Sequence, residues 1–206
     1  MFTIIGLGNP GDEYSKSRHN VGWMTLDEIH KQYGFSDWKE KKGIKAELST
    51  GTIGKKKVTL VKPTTFMNKS GDAVGKLIRP ASAKATAGKG KKVYEDVVVI
   101  SDDLDIPLGS IKIMFNRGSG GHKGVESVIR GLKSEAFVRI KIGLTPTTPT
   151  GKLKKPKGED AVLKFVIKVF RPDEEKVVKK TVKRTVEAIE VMLNEGRPKA
   201  MSLYNN

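Results

Sequence analysis

The side chains in this chain that could do chemistry are Asn9, His19, Asn68 and the acids Asp102, Asp103 and Asp105. A carboxamide offers a donor and an acceptor at one fixed point, and a histidine is the side chain most easily poised as a general base near neutral pH. A carboxylate behind an imidazole holds its tautomer. Such a set suits hydrolysis by an activated water: His19 as base, an acid to orient it, and the two carboxamides gripping a carbonyl. Competing chemistries are poorly served. With no Cys there is no thiolate nucleophile, thiolate metal site or disulfide. Ser119 lacks the frame of a nucleophile elbow, and the three histidines have no ligand spacing such as H-E-x-x-H, so neither a metal nor another cofactor is expected.

These residues must be delivered by the elements around them. Phe2–Leu7 reads as a buried strand that ends in the polar loop Gly8–Ser17, and Val21–Tyr33 reads as a helix with Leu26, Ile29 and Tyr33 on one face. Gly6, Gly8 and Gly11 match the G-x-G-x-x-G spacing of a dinucleotide site. The context does not, because Pro10-Gly11-Asp12 reads as a turn and no acid follows a second strand. A plain turn at Asn9-Pro10-Gly11, with Arg18-His19-Asn20 as ordinary capping, is the alternative at this point.

Ile44–Ile53 and Val58–Lys62 read as paired strands, and Asn68 precedes a helix near Ser70–Ile78, which it or Ser70 could simply cap. Val97–Ile100 is apolar at successive positions, as a strand covered on both faces should be, and its end delivers the three acids. Ile111–Phe115 and Phe137–Leu144 are further strands, with Arg139 and Lys141 on one face by period two. Between those strands, the glycine-rich run Asn116–Gly124, holding His122, precedes a helix near Val125–Leu132. Residues 80–92 read as a flexible insertion and 146–160 as a lid-like loop. Ala161–Phe170 is apolar without a clear period, whereas Pro172–Glu195 is an amphipathic helix with Gly196 as its stop. The expected fold is α/β in a single domain. A net charge of +16 points to a polyanionic partner. No run suits a membrane span and no signal-peptide pattern is visible, so a cytoplasmic setting is expected.

The blocks GLGNPGDEYSKSRHNVGW, KPTTFMNKSGDAV, SDDLDIPLGSIKI and GSGGHKGVESVI, with the ending AMSLYN, closely resemble the bacterial-type peptidyl-tRNA hydrolases. The resemblance implies a mixed, twisted sheet sandwiched between helices. It also implies a monomer that cleaves the ester joining a peptide to the 3′ ribose of tRNA, without cofactor. By motif, His19 would be the base, Asp102 its orienting acid and Asn9 a catalytic carboxamide. Tyr14, Met67, Asn68, His122 and Lys123 would line the substrate cleft, and Lys112 and Lys141 would contact tRNA phosphate. Three positions depart from the family pattern: Lys123 stands where Asn is common, Met114 where a basic residue is common, and Lys141 where Arg is usual. A non-catalytic RNA-binding relative is the alternative, although RNA binding alone would not require Asn9, His19, Asn68 and Asp102 together.

Overall fold

The computed structural model describes residues 1–78 and 93–205. The insertion expected at 80–92 lies outside them. Among the described residues, seven strands form one sheet: β1 (Phe2–Gly6), β2 (Lys39–Lys41), β3 (Ala46–Ile53), β4 (Lys56–Pro63), β5 (Tyr94–Pro107), β6 (Ile111–Phe115) and β7 (Phe137–Thr145). Their order is β2-β3-β4-β1-β5-β7-β6. The central pairs β4–β1, β1–β5 and β5–β7 are parallel, and the outer pairs are antiparallel, so the sheet is mixed. The helices are α1 (Val21–Tyr33), α2 (Ser70–Leu77), α3 (Lys123–Leu132), α4 (Glu159–Val166), α5 (Pro172–Glu195) and α6 (Arg197–Tyr204). None is long and apolar enough to cross a membrane.

The period-two alternation of β5 sorts its apolar run between two cores. Val98 and Ile100 pack with α1 and α5, while Val97 and Val99 pack with α2 and α3. Both faces of the parallel strands are therefore covered, as their continuous apolar sequence requires. Their C-terminal ends converge on one edge, where such sheets place their ligands.

Close backbone approach fixes how the helices meet that edge. A Cβ on Gly22 would lie 2.5 Å from the Leu7 carbonyl oxygen, and one on Gly6 would lie 2.5 Å from the Gly22 carbonyl oxygen. The glycine of the apparent dinucleotide motif thus lets α1 press on the end of β1. On the other face, α2 and α3 cross at Gly71, whose N–H donates to Ser127 Oγ at 2.9 Å and whose added Cβ would lie 1.8 Å from the Ser127 carbonyl oxygen. Gly71→Ala is expected to lower stability by about 1–3 kcal/mol through overpacking, readable as a fall in the urea midpoint.

Two elements escape the sequence reading. β2 is a three-residue exposed edge strand with the polar sequence Lys-Glu-Lys, which carries no alternation to read. α6 follows α5 directly at Gly196. Its end explains part of the AMSLYN motif: Asn205 Oδ1 accepts from the Ile113 N–H at 2.6 Å, and its Nδ2 donates to the Ile113 carbonyl at 2.9 Å. The side chain thereby pairs with the outer edge of β6, which would otherwise leave backbone groups open. The Ala161–Phe170 stretch divides: its first part lies in α4, which ends at Val166, and the rest is non-helical and leads into α5.

Candidate active site

His19 sits in a one-turn 3₁₀ helix, Arg18–Asn20, between the loop after β1 and the start of α1. The residues on either side hold it in place. Asn20 is buried, and its side chain bonds both backbone groups of Asn9: Oδ1 accepts from the Asn9 N–H at 2.8 Å, and Nδ2 donates to the Asn9 carbonyl at 2.9 Å. Asn20 therefore joins the 3₁₀ turn to the loop after β1 and does not cap α1 with its side chain. Arg18 is buried as well. Its guanidinium donates to Glu174 Oε2 at 2.6 Å and to the Val169 carbonyl at 2.8 Å, and lies over the rings of Phe165 and Phe170.

The Asn9 side chain is oriented by one bond. Its Oδ1 accepts from the Met67 N–H at 2.8 Å. With the carbonyl end of the amide so engaged, Nδ2 is the end left to act as donor.

Asp102 lies within β5, not past a strand end as the sequence suggests, since the strand runs on through the acids to Pro107. It is 2% exposed and its Oδ1 is shared by two imidazoles, His19 Nδ1 at 2.8 Å and His122 Nε2 at 3.0 Å. The tautomer of His122 follows from its other nitrogen. Nδ1 accepts from the N–H groups of Gly124 and Val125, capping α3, so the proton is on Nε2 and is donated to Asp102. Burial works to raise the Asp102 pKa, but the two imidazoles outweigh it and hold the carboxyl well below the usual carboxylate range. Asp102 is thus an anion at neutral pH, and it fixes the Nδ1–H tautomer of His19 with Nε2 free for a proton. Burial pushes the His19 pKa down, but the charge of Asp102 and its hydrogen bond prevail and raise it above 6.5.

The cap gives His122 a structural duty that its place in a glycine-rich loop did not reveal. His122→Ala is expected to cost about 0.5–2 kcal/mol of stability through the lost cap. His122→Asn, whose amide oxygen can accept the same N–H groups, should recover most of that loss in a denaturant titration.

Met67 is buried, and a Cβ on Gly124 would lie 2.3 Å from its Sδ, so the thioether packs on the first turn of α3 beside His122. Asn68 is exposed in the 3₁₀ turn Met67–Lys69 and does not cap α2, and neither does Ser70, whose Oγ donates to the Met67 carbonyl. Tyr14 is half-buried in the 3₁₀ turn Asp12–Tyr14. A cavity of about 300 Å³ opens on the α4 side of the two histidines, lined by Asp105, Lys123 and Lys155 and by an apolar wall of Leu104, Val162, Leu163 and Val166. His19, Asp102 and His122 border this cavity, whereas Asn9, Tyr14, Met67 and Asn68 are not among the residues that line it.

The expected cations differ in their freedom. Lys112 is exposed on β6 and is the register partner of Lys141 on β7. Lys141 is ion-paired with Asp103 Oδ2, so its charge is neutralised locally. Lys123, at the first position of α3 where the helix dipole disfavours a cation, lies 3.5 Å from Glu159 Oε1 on α4. Lys155 makes a second exposed link, to Asp105 at 2.5 Å. Both span the cavity mouth.

His19, Asp102 and His122 are also a group whose donor atoms lie within 4.8 Å of one another, close enough to hold a cation. Their separations along the chain gave no such signal. The two hydrogen bonds to Asp102 account for the closeness.

The chain is similar to known proteins in sequence and in fold. The family model described as peptidyl-tRNA hydrolase matches residues 3–206. The peptidyl-tRNA hydrolase of Thermodesulfovibrio yellowstonii is 40% identical over 205 residues, covering 100% of this chain and 99% of that protein. The Aquifex aeolicus peptidyl-tRNA hydrolase is 37% identical, with coverage of 98% and 95%. A crystal structure of peptidyl-tRNA hydrolase from Acinetobacter baumannii superposes with a TM-score of 0.80 at 25% identity, covering 98% of this chain and 93% of that one. Fold, sequence and relatives agree along the whole length, and the chain belongs to the peptidyl-tRNA hydrolase family.

Proposed function

We propose that this enzyme hydrolyses the ester between a peptide and the 3′ ribose of tRNA, acting as a cytoplasmic monomer, with His19 as general base. The observation that carries the assignment is the His19–Asp102 pair, whose free Nε2 borders a cavity while Nδ1–H is held by a buried anion. His19 Nε2 takes a proton from a water molecule as its oxygen attacks the ester carbonyl carbon. The imidazolium formed is stabilised by Asp102. Asn9 Nδ2 donates to the carbonyl oxygen as negative charge grows there. The bond to the ribose oxygen then breaks, and that oxygen receives the proton from His19, leaving free tRNA and a peptide carboxylic acid that releases the water's second proton to solvent and becomes a carboxylate.

The other residues take supporting roles. Met67 holds Asn9 through its N–H, and His122 holds Asp102 through Nε2–H. Asn68 and Tyr14 bind the peptide and terminal-nucleotide region. Lys112 and Lys141 contact tRNA phosphate, with Lys112 the stronger of the two because Asp103 competes for Lys141. Lys123 and Glu159 tie α4 to α3, so that the 146–160 loop and α4 act together as a lid. Exposed pairs of this kind contribute about 0–1 kcal/mol each, little enough for the lid to open. The test is release of free tRNA from an N-blocked aminoacyl-tRNA, which the native chain should catalyse without added metal.

A further inference from the structure

Beyond the cleft, one charged surface has no part in the chemistry. The first half of α5 carries Lys176, Lys179, Lys180 and Lys183, all exposed. At 100° per residue they share one stripe, about 10 Å long from Lys176 to Lys183. Lys176–Lys179, Lys176–Lys180, Lys179–Lys183 and Lys180–Lys183 stand three or four residues apart, a spacing at which like charges destabilise a helix. Among the described residues none of the four is in an ion pair. Past Arg184 the next charged positions are the exposed Glu187 and the half-buried Glu190, so after its acidic first turn the positive charge of α5 lies in the half nearest His19. That proximity is structural: Glu174, two residues before Lys176, grips Arg18, and the exposed Lys168 accepts the Arg18 N–H on its carbonyl.

We infer that Lys176, Lys179, Lys180 and Lys183, continued by Lys168, form a second contact surface for the sugar-phosphate backbone of the tRNA body, outside the catalytic cleft. The inference rests on the peptidyl-tRNA reading of the cleft. Charge complementarity selects the partner: uncompensated lysines in a line suit a polyanion with regularly spaced phosphates. An anionic lipid surface is less well matched. The apolar face that such a helix would insert, formed by Val178, Val182, Val186 and Ile189, is packed in the core. The surface also gives the chain a source of phosphate affinity independent of β6 and β7, where Met114 and the Asp103-paired Lys141 leave the grip weak.

The test is a variant with all four α5 lysines changed to Gln, assayed on two substrates bearing the same N-acetylaminoacyl ester, one on full-length tRNA and one on a 3′-terminal trinucleotide. Expected is a fall of roughly tenfold or more in kcat/KM on full-length tRNA, with the log–log salt slope shallower by about 3. The trinucleotide should be cleaved at the native rate, and the melting temperature should hold or rise as the like-charge pairs vanish. Native behaviour of the variant on full-length tRNA would overturn the inference. So would equal losses on both substrates, or a loss of binding to phosphatidylserine vesicles with tRNA binding intact. Binding of uncharged tRNA, followed by fluorescence anisotropy, separates this inference from the cleft reading. If the native chain cleaves neither ester but binds tRNA through these lysines, the stripe stands and the hydrolase reading falls.

Discussion

His19→Ala is expected to lower the rate of ester cleavage at saturating substrate by roughly 10²–10⁴-fold, the share usual for a positioned general base. Binding of tRNA should persist, because the ring is not a phosphate contact. Asp102→Asn is expected to fall in the same range for a different reason. The neutral amide no longer stabilises the imidazolium, and it can present its NH₂ group to His19 Nδ1, which favours the wrong tautomer. Asp103→Asn should cost much less in rate, since Asp103 faces Lys141 and the Asp105 N–H, not an imidazole. Single-turnover tRNA release measures all three, and equal losses at the two acids would refute the assignment.

Arg18→Met is expected to give the largest loss of stability at a single position, about 3–5 kcal/mol, because it removes the buried cation that holds the buried Glu174 carboxylate at 2.6 Å. Glu174 retains the Arg171 N–H at 2.8 Å, which caps α5, and the exposed Arg171 guanidinium, a longer contact at 3.8 Å that replaces little of the buried pair. Replacing both partners by apolar residues, Arg18→Met with Glu174→Met, should restore much of the loss despite the missing cap. The double-variant cycle in urea reads the coupling directly. The position also bears on catalysis: Arg18 joins the turn that carries His19 to the segment between α4 and α5. Loss of activity on warming should therefore precede global unfolding in the single variant.

What was legible in the sequence follows from what is local. Val97–Ile100 announces a strand covered on both faces, and acids directly after that apolar run announce the working edge of an α/β sheet, although the strand itself continues through them to Pro107. His19 and Asp102 could be proposed from such signals, and the family resemblance chose Asp102 from three acids. Contacts between distant segments were hidden. The pairing of Arg18 with Glu174, 156 residues away, looks like an ordinary solvated arginine and an ordinary first-turn acid. Asn20 reads as a cap, yet its amide matches the backbone of Asn9 because Gly6 and Gly22 let α1 approach so closely. His122 carries two duties at once, which a glycine-rich loop does not disclose. Ala161–Phe170 resisted assignment because a short helix and the segment after it share an apolar composition, and only their packing around Arg18 divides them.

Acid stability should reflect the same anion. The Asp102 pKa is depressed, so its contribution is present above the ordinary value of 3.8 and is lost as pH falls through the folded value. The raised His19 pKa has the opposite sign: its pairing with Asp102 stabilises the fold below pH 6.5, and this contribution fades as pH rises through the folded value. Activity runs against that term, since only neutral His19 can accept a proton.

The pH profile of kcat/KM for native and Asp102→Asn enzymes is therefore the most direct measurement. The native acidic limb should have its midpoint above 6.5, because Asp102 raises His19 against the effect of burial. In Asp102→Asn burial acts alone, so the midpoint should move below the native value while the plateau drops. A limb that stays in place when Asp102 is neutralised would contradict a base held by this carboxylate.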